Sequence, residues 1–223
     1  MKKTNFWVLI ALLFMNVVSA TAQEERMPIV NGGLKVQANT SNFLLKHISA
    51  NPELSSTMNV GAELGGFVDF NITQHFLIQL NLMLFAEQND LHQGNKNDKL
   101  WTLGLEIPVY FLGRYGNDQA GYVHFGGGPF TEFDLWGEMK GSTAAHNPYK
   151  PFTENAELKE DTYAFSDSYS GGLAAYVGYE FPFRMQINAS YKFGISNLLQ
   201  FGADNSTPAY TQKVTLGLAY RFK

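Results

Sequence analysis

Apolar and polar residues alternate along three stretches of this chain. Phe76, Ile78, Leu80, Leu82, Leu84 and Ala86 are apolar, with Gln79 and Asn81 between them and Glu87 just after. The pattern returns at Trp101, Leu103, Leu105, Ile107, Val109 and Phe111 around Thr102, Gly104 and Glu106, and again at Val214, Leu216, Leu218, Tyr220 and Phe222 around Lys213, Thr215 and Arg221. A period of two places every second side chain on one face, so each stretch is a strand with one greasy side. Each runs for about ten residues, the length at which a tilted strand crosses a bilayer.

Extended to the whole chain, the pattern predicts eight strands, at 33–41, 58–72, 76–88, 100–113, 121–136, 168–183, 185–197 and 210–222. The connections alternate in length. Short turns fall at 71–75, 114–120 and 182–184, and long polar segments at 42–57, 89–99, 137–167 and 198–209. Short turns on one side and long loops on the other predict an all-β, antiparallel, up-and-down transmembrane barrel with periplasmic turns and extracellular loops. Phe70, Phe76, Phe111, Phe125, Phe181, Phe183, Tyr220 and Phe222 cluster beside the short turns and the C-terminus, where an interfacial girdle of aromatic rings is expected. Alternation alone also fits a soluble lipocalin-like barrel, apolar within and polar without. Strand length, loop asymmetry and the aromatic ends favour the membrane reading.

Residues 1–22 read as an export signal: Lys2 and Lys3 form a basic start, 6–18 is largely apolar, and Ala20-Thr21-Ala22 is an A-x-A cleavage site, so the mature chain is expected to begin at Gln23 after cleavage behind Ala22. That apolar core is short for a membrane-spanning helix. The expected layout is a signal at 1–22, a short periplasmic segment at 23–32 and a barrel domain at 33–223. The leader holds two lysines and no acid, which leaves 14 basic against 20 acidic side chains, a formal charge of −6. Such a chain is not built to bind nucleic acid. It contains no cysteine, which excludes a lipoprotein anchor, disulfides and thiolate metal sites together.

Several short motifs recur in a telling order: Gly33-Leu34-Lys35, Asn71-Ile72-Thr73-Gln74-His75-Phe76, Leu105-Glu106-Ile107-Pro108-Val109, Phe125-Gly126-Gly127-Gly128-Pro129, Tyr191 to Leu198, and the terminal Leu216 to Lys223. Together they resemble the outer-membrane β-barrel domain family abundant in Bacteroidetes-type bacteria, which includes PorT-like and OmpX-like small barrels. The resemblance spans essentially the whole mature chain. It implies an eight-stranded barrel in the cell outer membrane and carries over no catalytic residue, because the family has no shared activity.

With the apolar set facing lipid, the opposite set lines the lumen: Lys35, Glu63, Asp69, Glu87, Glu106, Glu132, Glu180, Lys192, Lys213 and Arg221. Six acids thus face four bases. Eight strands leave an interior just wide enough to be filled by side chains, so these groups are expected to form a hydrogen-bonded ion-pair core rather than a narrow channel. Gly61, Gly65, Gly104, Gly126, Gly128, Gly172 and Gly178 fall on the same face as Phe67, Phe85, Phe130 and Tyr176, and leave room for those rings. Gly126-Gly127-Gly128 is no phosphate loop, since no Gly-Lys-Ser/Thr follows.

His124 is expected on the lumen face, while His47, His75, His92 and His146 fall in loops or turns without metal-ligand spacing, so neither metal nor cofactor is expected. Ser142, His92, His146 and Asp167 would lie at the outer face, where a barrel acyltransferase or lipase holds its site; nothing in their spacing brings them together, and no catalytic residue is assigned. The segment 137–167 is the candidate binding loop, with Tyr149, Phe152, Glu154, Glu157 and Tyr163 as its contact residues, because it mixes rings and acids in a long connection on a rigid scaffold. The expected role is therefore binding, adhesion or envelope assembly, with a PorT-like accessory of a secretion system as the alternative. The expected partners are outer-membrane lipid, the barrel assembly machinery during biogenesis, and envelope or secretion-system proteins.

Overall fold

The computed structural model describes residues 29–45, 54–93, 96–141, 163–165, 169–196, 199–201 and 209–222. Among them eleven strands follow one another: β1 (Val30–Leu45), β2 (Leu54–Thr57), β3 (Asn59–Thr73), β4 (Phe76–Gln93), β5 (Lys96–Asn117), β6 (Gly121–Gly141), β7 (Tyr163–Phe165), β8 (Tyr169–Glu180), β9 (Met185–Gly194), β10 (Leu199–Phe201) and β11 (Ala209–Arg221). Eight of them, β1, β3, β4, β5, β6, β8, β9 and β11, each pair antiparallel with the next, and β11 returns to β1. The sheet closes as an eight-stranded barrel. Closure matters because hydrocarbon offers no partner to an unpaired N–H or C=O, and a closed wall has no edge.

The alternation sets the faces. Along β11 Lys213, Thr215, Ala219 and Arg221 are buried inside, while Val214, Leu216, Leu218 and Tyr220 point outward. Leu216 is 67% exposed and Val60 77%, against 1% for Lys192 and 0% for Glu106. A wall that is apolar outside and polar inside is the inverse of a lipocalin, which rules out the soluble alternative. At about 25 cal/mol per Å² of apolar surface, showing this wall to water carries a large penalty that lipid removes. The 12 residues of β8, tilted by about 45°, rise through roughly 28 Å, which matches a hydrocarbon core.

One end of the barrel is made of tight turns. Thr73 and Phe76 pair across the first, and at the second Asn117 Oδ1 accepts from the backbone of Gln119 (3.0 Å) and Ala120 (2.7 Å), an Asx turn. In the third, Arg184 adopts a left-handed conformation (φ 71°) and its N–H donates to Phe181 O at 2.8 Å.

The other end departs from the expected long loops. The segment 89–99 is not a loop: β4 runs to Gln93 and β5 starts at Lys96, with rungs such as Asp90↔Lys99 and His92↔Asn97, the latter closed by a 2.6 Å hydrogen bond between His92 Nδ1 and Asn97 Oδ1. Likewise β1 reaches Leu45, β6 reaches Gly141, β2 adds to the extended end of β4, and β7 pairs with β10. In the opposite direction β8 and β9 are shorter than the expected 168–183 and 185–197. The reason is physical. An apolar face marks only the part of a strand that meets lipid, and a strand that continues into water keeps its ladder but loses its pattern. At 22 residues β5 is about ten longer than β8, so among the described residues the sheet of β2, β4, β5 and β6 stands above β8 by on the order of 20 Å. Trp101 and Trp136 are exposed near its base, in neighbouring strands, as interfacial tryptophans are.

Candidate functional site

The lumen is where the chemistry-bearing side chains converge, and strand pairing alone brings them there. Each comes from a strand position whose parity points inward, so residues far apart in sequence meet across the bore.

Toward the long-strand end two lysines organise the carboxylates. Lys192 of β9 pairs with Glu106 of β5 and lies 3.4 Å from Glu63 of β3. Lys213 of β11 pairs with Glu132 of β6, and lies 3.2 Å from Glu87 and 3.4 Å from Glu106. Glu106 is thus shared between the two cations. Polar neutral groups complete the shell: Asn39 Nδ2 donates to Glu63 (3.0 Å), Ser170 Oγ to Glu132 (3.2 Å), Asn89 Nδ2 to Glu87 (3.3 Å) and Ser41 Oγ to Asn89 (3.0 Å). Buried Phe43 and Leu100 lie beyond them toward the rim.

Toward the short-turn end Arg221 bridges two acids, with Nη2 2.7 Å from Asp69 and Nη1 2.7 Å from Glu180. His124 Nε2 lies 3.2 Å from Glu180, and Gln79 Nε2 donates to Asp69 at 2.8 Å. Arg114 sits over the Tyr122 ring at 3.7 Å from its centroid. It is a lumen base that the sequence reading placed in a turn. Because β5 continues to Asn117, the inward parity of Leu112 carries on to Arg114, and among the described residues five bases rather than four face the six acids.

Between the two clusters Lys35 meets no carboxylate directly among the described residues. Its Nζ donates to Gln79 Oε1 (3.0 Å) and Asn81 Oδ1 (2.7 Å) and lies 5.4 Å and 5.1 Å from the centroids of Phe67 and Tyr176. Around it Leu77, Tyr110, Leu112, Phe130, Ala174 and Tyr176 form a buried apolar cluster. Phe130 and Tyr176 stand inside as their parity predicts, and Leu77, Tyr110 and Leu112 join them at inward positions where a strict apolar-out, polar-in alternation expects polar residues. Glycines make the space: a Cβ on Gly104 would stand 2.4 Å from the Phe85 ring, and one on Gly172 2.7 Å from that of Phe130.

The remaining candidates fall elsewhere. Phe76, Phe111, Phe125, Phe183, Tyr220 and Phe222 are exposed at or near the short-turn end, with Phe70 and Phe181 half-buried among them. Ring pairs connect several: Tyr115 stacks between His75 and Phe125, and Phe181 on Phe183. Tyr163 begins β7. Tyr149, Phe152, Glu154 and Glu157, the cleavage pair Ala22 and Gln23, and Ser142, His146 and Asp167 lie outside the described residues. His92 bonds Thr57 Oγ1 (3.3 Å) and Asn97. Among the described residues no group of three or more His, Asp or Glu is arranged to hold a metal ion.

The family model for the outer membrane protein beta-barrel domain matches residues 22–200. No curated protein matches the chain in sequence. Among solved structures it is similar to the outer membrane protein OprG from Pseudomonas aeruginosa, at 13% identity over 86% of this chain and 94% of that chain, with a TM-score of 0.43. It is also similar to Ail, the attachment invasion locus protein of Yersinia pestis, in complex with the heparin analogue sucrose octasulfate (14% identity, 87% and 100% covered, TM-score 0.43), and to Neisserial surface protein A (10%, 86% and 97%, 0.37). With the match spanning most of its length and a closed wall that is apolar outside, the chain belongs to the outer membrane protein β-barrel domain family.

Proposed function

We propose that this protein is a plugged, non-catalytic outer-membrane barrel whose long-strand end binds partners at the cell surface or in envelope assembly. The observation that carries the reading is the filled lumen. Lys192, Lys213 and Arg221 each hold two or more carboxylates across the bore, and a charge so paired is expensive to displace, because the partner left behind is buried and uncompensated. A plugged bore leaves the wall and the rim as working surfaces, and rigid strands projecting past the rim are where binding loops are positioned. The aromatic rings at the short-turn end serve as the periplasmic girdle, and the barrel assembly machinery acts on the chain before it closes.

The test separates the bore from the rim. In planar bilayers the purified protein should give no sustained single-channel conductance; reproducible currents altered by Glu106→Gln would replace this reading with a channel. Deleting residues 142–161 should leave the folded barrel in the membrane while abolishing surface binding. Loss of protein secretion with surface binding intact would instead favour the PorT-like accessory.

A further inference from the structure

The barrel wall contains an interruption that the proposed function does not use. The N–H of Arg114 donates to His75 O at 2.9 Å, which fixes the hydrogen-bonded rungs between β5 and β4. Counting every second rung inward leads to Asn81 opposite Pro108, where no N–H exists to donate. There the ladder skips from Leu80↔Val109 to Met83↔Glu106 with its register unchanged. On the other side of β5 the parity is reversed, so Val109 faces Pro129 of β6 in a hydrogen-bonding rung, and again the donor is a proline. That ladder skips from Pro108↔Phe130 to Phe111↔Gly127.

Both gaps lie at one height. Pro108 is midway between Trp101 and Tyr115, the exposed rings that mark the two membrane boundaries on this strand. Side chains do little to bridge the gap, because the lumen-facing positions of β6 opposite Tyr110 and Leu112 are Gly128 and Gly126, which offer no cross-strand contact. The compensation visible is a 3.4 Å bond from Asn81 Nδ2 to Pro108 O. By contrast β3 is paired without a skip on both sides, to β1 from Val30↔Phe70 to Ser41↔Asn59 and to β4 from Ala62↔Ala86 to Asn71↔Leu77.

We propose that β5 is a conformational seam: at mid-height it parts reversibly from β4 and β6, opening the wall beside Glu106 while the rest of the barrel stays closed. Prolines are ordinarily confined to sheet edges, and in a bilayer a lost ladder bond finds no water to replace it. Two such losses flanking one strand, beside a carboxylate shared by both lysines, loosen the plug from its side rather than from its ends. The seam acts on the wall and does not depend on what binds at the rim.

Amide hydrogen exchange of the protein folded in lipid nanodiscs tests this. Peptides covering 105–112 and 127–132 should exchange at least about tenfold faster than the β3 peptide 62–70 at comparable depth. Pro129→Val, which restores a donor on a lipid-facing position, should slow exchange in both seam peptides, and Pro108→Val should do so chiefly toward β4. Heat-dependent gel mobility establishes that each variant has folded. Equal protection of β5 and β3 in the unsubstituted protein overturns the proposal, as does a folded Pro129→Val barrel with unchanged exchange. Should neither variant fold, the comparison of β5 with β3 still decides.

Discussion

At the scale of single residues, the lumen concentrates the stability of this barrel in a few groups with several partners each. Lys192 neutralises Glu63 and Glu106, both fully enclosed. Lys192→Met should therefore destabilise the barrel by about 3–5 kcal/mol, the range for stranding a buried charge, measured by urea unfolding in lipid vesicles. Adding Glu106→Gln should recover part of that loss, since one stranded carboxylate is then neutral while Lys213 keeps Glu87 and Glu132. A loss below 1 kcal/mol for the single variant, on the order of an exposed surface pair, would show that water reaches the pair. Gly104 tests packing in the same way. A methyl there meets the Phe85 ring at 2.4 Å and Phe133 O at 2.5 Å. Because the second obstacle is backbone, Gly104→Ala should destabilise the barrel even when Phe85 is shortened to Leu; full rescue by Phe85→Leu would assign the clash to the ring alone.

At the scale of elements, β11 both closes the barrel and ends it at an interface. Its register to β1 runs from Leu45↔Ala209 to Gly33↔Arg221, and the N–H of Phe222 extends the pairing by donating to Gly32 O at 2.8 Å. The Phe222 ring is about half exposed and meets Tyr220 edge-on at 6.2 Å. Phe222→Ala removes a large interfacial ring while leaving the ladder intact, so it should reduce the amount of folded barrel in the outer membrane, read by heat-dependent gel mobility of membrane fractions. Deletion of Lys223, which lies outside the described residues, should change little. Normal assembly of Phe222→Ala would make the ring a packing detail. The β4, β5 and β6 extensions are the element least legible beforehand: past Trp101 the pattern turns to Lys99, Asp98 and Asn97, which reads as loop by composition, yet backbone pairing continues to Gln93↔Lys96. Water tolerates polar residues on both faces of a hairpin, so nothing in the pattern marks where such a strand stops.

For the whole molecule, closure and the apolar exterior fix a behaviour. The protein should fractionate with the outer membrane and run at different positions on a gel before and after boiling, because the folded wall resists detergent until heat breaks the ladder. Recovery as a soluble protein without a mobility shift would contradict the membrane wall. Closure also sets which charges meet. Lys213 and Glu132 are 81 residues apart in sequence, and Arg221 and Asp69 152 apart. Neither pair is adjacent in any ladder.

The eight barrel strands, the inward charged residues other than Arg114 and the lipid-facing set were legible from period two alone, because alternation is a local property of a pleated strand and the bilayer selects apolar residues on one face over its thickness. Glu106 and Lys192 could be assigned to the bore in that way, and the tight turns could be located between the strands. The tertiary structure decided the rest. Which acid meets which base depends on the register and on the curvature that brings non-neighbouring strands face to face, as with Lys213 reaching Glu87, Glu106 and Glu132 while Lys35 finds amides and rings instead. Arg114 became a lumen residue only because β5 outlasts its apolar pattern, and the coincidence of Pro108 and Pro129 at one height emerges only when β5 and β6 are laid in register. Periodicity carries orientation, whereas pairing between distant segments carries position.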